Sequence, residues 1–306
     1  MTARLFADDP RQNARLCLTI APAHCSSCGD FHLASIMRRA SLLPEERIFD
    51  DAEFGAAMAE VLGRLGNEKG AIRVLIAGST DTGLYTSLLN AAAAAGGEAF
   101  ARSLSVTLVD QCGTPLEICR RYARANGLQL ETVLSDLAGH EPETAFDMIV
   151  MHGVLTFFPE AERLAYMRRV AAWLAPQGAL ISSVQFGEKV GADEPSKRIA
   201  QALENLQVLL DEAGGYPQEF ARDMGQRVER GLRDRHGHRN PFPDREAVRS
   251  FYGSTGLEVQ SLDIVGERND GGPKRRYSGR SIAVCGPGGR EDESRSVRKA
   301  ATATNP

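Results

Sequence analysis

Residues Val74 to Tyr85 read Val-Leu-Ile-Ala-Gly-Ser-Thr-Asp-Thr-Gly-Leu-Tyr, an apolar run that enters a Gly-x-x-x-x-Gly turn and then a helix-prone stretch. Glycines at such a turn let backbone approach a ligand closely and present free amides at a helix start, as nucleotide-binding turns do. The alternative is an ordinary turn whose glycines only supply tightness. No Lys-Ser/Thr follows Gly83, which excludes a P-loop, and the dinucleotide fingerprint Gly-x-Gly-x-x-Gly is absent. The next apolar run ends at Asp110, 27 positions beyond Gly83. A carboxylate there is placed to accept hydrogen bonds from both hydroxyls of a ribose, or to cap the helix that begins near Pro115. Ser135-Asp136-Leu137 follows a third run. An acid in that position can bind an adenine amino group or be a plain loop acid.

His152 ends a fourth apolar run, and its near-neutral reference pKa suits a general base; packing or capping the following turn is the other reading. Phe157 and Phe158 follow it as candidate pocket walls or core residues. His24-Cys25-Ser26-Ser27-Cys28-Gly29-Asp30-Phe31-His32 is the second unusual cluster. On a helix Cys25, Cys28 and His32 would share a face, with Cys17 and His24 nearby. These donors suit zinc, but no second Cys-x-x-Cys or His pair lies at finger spacing, so the expectation is no metal and buried thiols. Arg235-His236-Gly237-His238-Arg239-Asn240, and Arg275, Arg276 and Arg280, are possible anion-recognition groups, with solvated polar loops as the plainer reading. His140 carries no usable signal.

Short β-rich runs and longer helical stretches must position these residues. Strands are expected at Ile72–Ala77, Ser105–Val109, Leu130–Leu134, Phe146–Met151 and Ala179–Val184, and helices at Tyr85–Ala95, Pro115–Asn126 and Glu160–Leu174. Strands apolar throughout suit a parallel sheet covered on both faces. Residues 12 to 68 look helical, with Phe54, Met58, Val61, Leu62 and Leu65 at helix spacing. A polar, helix-prone insert follows at Pro195–Ala213 and Gln218–Asp234, placed above the carboxyl edge of the sheet. Asp244 is the expected N-cap of a helix that stops at Gly256, and Leu257–Val265 with Ser281–Cys285 form an antiparallel hairpin.

The 306 residues carry 36 basic and 40 acidic side chains, a net charge of -4, without the basic footprint of a nucleic-acid binder. No segment approaches the roughly 20 apolar residues that span a bilayer. Met1 to Pro10 lacks the pattern of a secretory signal. The six cysteines are therefore expected reduced, in the cytoplasm.

In order, these pieces resemble the class I S-adenosylmethionine-dependent methyltransferases. The resemblance rests on Gly78 to Gly83, on Asp110, on Asp136, on Phe146-Asp147-Met148-Ile149-Val150-Met151-His152-Gly153-Val154-Leu155, and on Leu174-Ala175-Pro176-Gln177-Gly178-Ala179-Leu180, similar to that family's Leu-x-Pro-Gly-Gly turn before strand five. It covers residues 70 to 187 and 244 to 286. The usual loop, acid-x-Gly-x-Gly-x-Gly, is altered here: Ala77 precedes Gly78, and only Gly78 and Gly83 remain. The loop is closer to a Gly-Ser-x-Asp-x-Gly variant in a poorly described bacterial subgroup, which also resembles this chain at Asp110-Gln111-Cys112-Gly113-Thr114-Pro115-Leu116 and at Cys28-x-x-Phe31-His32.

The resemblance implies an α/β fold, a Rossmann-like seven-stranded, mostly parallel sheet with an antiparallel C-terminal hairpin. It divides the chain into a helical N-terminal cover (1–68), a cofactor-binding core (69–187), a helical insert or lid (188–243), the end of the core with its hairpin (244–286) and a disordered tail (287–306). It implies S-adenosylmethionine held by Gly78, Ser79, Asp81, Gly83, Asp110, Gln111, Asp136, Leu137 and Met151, Asp81 standing in for the missing loop acid. The expected catalytic residues are His152 and His32, with His32 and Cys28 at the mouth of the site. The expected acceptor is a small molecule offering oxygen, nitrogen or sulfur, with neither nucleic acid nor membrane as partner and the oligomeric state open. Two rivals remain: a non-catalytic module that has lost the cofactor, and a nicotinamide-dependent oxidoreductase, which would have parallel strands in place of the hairpin.

Overall fold

A computed structural model describes residues 5–41, 52–68, 71–189, 195–235, 240–265 and 277–288. Seven strands form one sheet: β1 (Arg73–Ala77), β2 (Ser105–Asp110), β3 (Leu130–Leu134), β4 (Phe146–His152), β5 (Leu174–Lys189), β6 (Leu257–Val265) and β7 (Tyr277–Pro287), in the order β3-β2-β1-β4-β5-β7-β6. β1 to β5 pair in parallel, and β7 lies antiparallel between β5 and β6. This is the Rossmann-like sheet with its hairpin, and the antiparallel β7 is what the oxidoreductase reading does not predict.

Alternation along the strands assigns the two faces. Val74, Ile76, Met148 and Val150 point to one side, where they meet helices α3 (Ala52–Glu68), α4 (Gly83–Ser103, broken at Gly97) and α5 (Gly113–Ala125). Leu75, Ala77, Ile149 and Met151 point to the other, against α6 (Glu160–Ala172) and α9 (Arg245–Gly253). The apolar run Phe54, Met58, Val61, Leu62 and Leu65 is the buried stripe of α3. Asp244 caps α9 by accepting from the Ala247 amide at 2.8 Å.

Strand boundaries moved most at β5, which starts at Leu174 rather than Ala179 and runs on to Lys189. Leu174 already pairs with Phe146, and the register shifts before Met148 meets Ala179, so the Pro176-Gln177-Gly178 turn is carried within the strand. β7 also outruns its expected bounds because both its edges are paired.

A third apolar cluster lies outside the sheet. It joins α1 (Pro10–His24) and α2 (Phe31–Arg39) to α7 (Pro195–Ala213) and α8 (Gln218–Arg235), and reaches the core at Cys112 and Ile118. Asp30, just ahead of α2, is buried and binds Arg227 Nε at 2.9 Å and Arg230, both on α8. Asn205 on α7 donates to the Met37 carbonyl at 2.8 Å. Helices α1, α2, α7 and α8 thus form one cap, whereas α3, expected to be part of the N-terminal cover, packs on the sheet. Among the described residues, no helix is long and apolar enough to cross a membrane.

Candidate active site

Parallel strands bring their carboxyl ends to one edge, and the order puts a switch point between β1 and β4, where open α/β sheets bind ligands. A cavity of about 620 Å³ opens there, within the roughly 300–1,000 Å³ of small-molecule sites. Gly78, Ser79 and Thr80 line it after β1, Asp110 and Gln111 after β2, Asp136 and Leu137 after β3, and His152, Gly153 and Val154 after β4. The cap closes it with Cys28, Phe31, His32, Arg38 and Arg39.

Gly78 has φ +78°, which favours glycine, and a Cβ there would lie 3.1 Å from Val154 Cγ2. The backbone itself is therefore a wall of the cavity. Asp110 is buried; its Oδ2 accepts from the Ser79 amide at 3.2 Å and its Oδ1 from the Cys112 amide at 2.9 Å. One carboxylate so ties the β1 turn to the β2 turn. Asp136 is exposed, and its Oδ1 accepts from the Ala138 amide at 3.0 Å.

His32 is buried, with Nε2 at 3.1 Å from the Ser79 carbonyl and 3.6 Å from Asp110 Oδ2. Burial alone would push its pKa down. The Asp110 carboxylate, then the Cys112 and Cys28 sulfurs, outweigh that and hold it well above the usual value. His32 therefore meets the carboxylate at the end of β2. His152 packs edge-on against Phe54, ring centroids 5.2 Å apart.

Three expected cofactor residues do not line the cavity: Asp81, Gly83 and Met151. The Asp81 carboxylate accepts from the Gly83 amide at 3.0 Å and pairs with Arg39 at 3.4 Å, which turns it into the start of α4. Met151 points into the apolar cluster under α6 because alternation along β4 sends it there. Phe157 and Phe158 both line the cavity; Phe157 packs edge-on against Phe31 at 5.2 Å, and Phe158 stacks on Tyr166 at 4.4 Å.

Arg38, Arg39, Glu162 and Gln185 also line the cavity, with no local signal in the residues to announce it. The two arginines sit on a cap helix whose placement depends on the distant α8, and Gln185 lies on the unexpected extension of β5. Arg280 proves to be a buried strand residue, its pKa pushed down to about 10 by burial, and not a loop cation. His236, His238, Arg239, Arg275 and Arg276 lie outside the described residues, as does most of the expected tail.

With that geometry, the chain compares as follows. A family described as "Methyltransferase domain" matches residues 88–178. No curated protein matches the sequence. Among solved structures the chain is similar to the 1,6-didemethyltoxoflavin-N1-methyltransferase of Burkholderia thailandensis, with 14% identity over 94% of each chain and a TM-score of 0.50. It is also similar to the N-methyltransferase NodS of Bradyrhizobium japonicum, with 14% identity, 84% of this chain and 97% of that one covered, and a TM-score of 0.47. At such identities the likeness is one of fold. Residues 88–178 thus match a methyltransferase domain, and the Rossmann-like sheet with its antiparallel hairpin is shared in fold with the solved Burkholderia thailandensis methyltransferase.

Proposed function

We propose that the protein methylates a small molecule at oxygen, nitrogen or sulfur, with S-adenosylmethionine as donor, inside the cavity between sheet edge and cap. The observation that carries this reading is that one cavity is lined by Gly78, Asp110 and Asp136 on one side and by Phe31, His152 and Phe157 on the other. The residues fit the cofactor: a glycine wall without a side chain, a buried carboxylate at the ribose position, and an acid with an apolar neighbour, Leu137, at the adenine position. Gly78, Ser79 and Thr80 would hold the methionine end, Asp110 and Gln111 the ribose, and Asp136 and Leu137 the base.

When bound, the cofactor supplies a methyl group on an already activated sulfonium. What remains for the protein is alignment of the acceptor and exclusion of water. Phe31, Phe157 and Phe158 provide an aromatic wall for a flat or apolar acceptor, and His152 is the group to take a proton from it. His32 acts as a positioning residue, fixing the Asp110 carboxylate and the Ser79 carbonyl. The similar Burkholderia thailandensis structure holds a small molecule, 1,6-didemethyltoxoflavin, together with S-adenosylhomocysteine, which is in keeping with a small acceptor.

Calorimetric titration tests the reading. S-adenosylmethionine and S-adenosylhomocysteine should bind with micromolar affinity, about -8 kcal/mol, and a reduced nicotinamide dinucleotide should not bind. Asp110→Ala should weaken both adenosyl ligands by roughly 100-fold, about 3 kcal/mol, because two hydrogen bonds to a charged acceptor are lost. Undiminished affinity in that variant, or binding of the dinucleotide alone, would refute the assignment. Once an acceptor is found, His152→Ala should lower turnover while cofactor affinity is retained; full activity would leave His152 a packing role.

A further inference from the structure

Between the cap and the turn after β2 lies a group of thiols that methyl transfer does not use. Cys25 and Cys28 lie on the short 3-10 turn between α1 and α2, and Cys112 lies just beyond β2. Their three sulfurs are all within 4.8 Å of one another, and the Cys25 and Cys112 sulfurs are 3.9 Å apart. Tetrahedral zinc with Zn–S bonds of about 2.3 Å sets its sulfurs about 3.8 Å apart, so this pair already has the spacing of two ligands.

A candidate fourth donor, outside that 4.8 Å group, is on the next helix. The His32 side chain is 5% exposed, and its Nδ1 is buried without a hydrogen-bond partner. Its Nε2 is engaged by the Ser79 carbonyl and Asp110. That is the arrangement of a metal-bound histidine, in which one ring nitrogen takes the metal and the other is held by a carbonyl or carboxylate.

We propose that Cys25, Cys28 and Cys112, joined by His32 Nδ1 when the ion binds, form a Cys3His site for a thiolate-preferring divalent metal, zinc foremost. The set matches a known structural donor combination, with Cys25-x-x-Cys28 as its local chelating half. Binding releases the thiol protons and replaces the Nδ1 proton of His32. Cys28 is only half-buried and lines the cavity, which gives the ion an entry path. The bound metal would tie the 3-10 turn to the loop after β2 and fix His32 against Asp110. This assignment does not depend on the methyl-transfer reading.

The test is metal analysis of the full chain, purified reduced and stripped with chelator, then titrated with Zn2+ and separately with Co2+. One equivalent of Zn2+ per chain is expected, with thiolate-to-cobalt charge-transfer absorption in the Co2+ form. Cys28→Ser and Cys112→Ser should each weaken Zn2+ binding by 100-fold or more, and His32→Gln by at least 10-fold. Cys17→Ser, at a buried thiol outside the cluster, should leave it unchanged. Should Cys112→Ser fail to fold, Cys28→Ser and the wild-type stoichiometry still decide. Substoichiometric Zn2+ in the wild type, absence of the charge-transfer band, or equal affinity in Cys28→Ser would overturn the site.

Discussion

The sheet edge and the cap face the same cavity but are held in place by different forces. On the sheet side the cavity residues sit at the ends of strands whose register is fixed by continuous backbone ladders and by apolar clusters on both faces. On the cap side, α2 is attached through an apolar cluster and through charge pairs on buried carboxylates: Asp30 with the largely buried Arg227 and the exposed Arg230, and Asp81 with Arg39. A ladder repeats one interaction over many residues, so a single substitution weakens it little. A buried ion pair concentrates the same job in two or three side chains, and removing one leaves the others uncompensated. The sheet is therefore the fixed wall of the site, and the cap is the wall that a substitution or a ligand can shift.

The largest effect should come from Asp30→Asn. It leaves the partly buried Arg227 without its carboxylate, and should cost about 3 kcal/mol or more. Urea denaturation measures the total, and hydrogen exchange locates it. The loss should concentrate in α2 and α8 while β1 and β4 amides keep their protection; equal loss in both regions would break the distinction.

Gly231→Ala asks how closely the cap helices must fit. A Cβ there would lie 2.5 Å from the Asp30 carbonyl oxygen and 2.9 Å from Ala34 Cβ. Alanine gains about 1 kcal/mol of helix propensity over glycine, but overpacking against backbone costs about 1–3 kcal/mol. The net expectation is destabilisation by about 1 kcal/mol in a melting curve. Stabilisation instead would mean that α8 slides freely over α2.

A comparably small effect is expected of Tyr252→Phe on the sheet side. Its buried hydroxyl donates to Ser182 Oγ at 2.8 Å, and removing it should cost about 1 kcal/mol. Because Tyr252 packs under the ladder, that loss should appear in all slow-exchanging sheet amides alike. A loss confined to α9 would show that this edge opens separately.

The same contrast explains what could be read in the residues beforehand. Ile72 to Ala77, Phe146 to Met151 and the helices between them announce themselves locally, through apolar runs, glycine turns and caps such as Asp244. The fold, Gly78, Asp110, Asp136 and His152 followed from those signals. The cap depends on pairs about 200 positions apart in the chain, such as Asp30 with Arg227, for which no local period exists. Cys112 is the clearest instance. A search for a second Cys-x-x-Cys fails because the third thiol stands alone, and only the meeting of β2 with the turn after α1 brings it to Cys25. Asp81 shows the opposite limit: its spacing suits a ligand, yet a hydrogen bond to Gly83 and an ion pair with Arg39 turn it inward.

The most direct test of the central claim, that the sheet edge holds an adenosyl ligand in the cavity that the cap closes, is hydrogen exchange with and without S-adenosylhomocysteine. Amides of residues 78–83 and 110–114 on the sheet edge, and of 31–39 in α2, should slow together on ligand addition. Protection of neither sheet segment, or of the sheet edge with α2 unchanged, would contradict it.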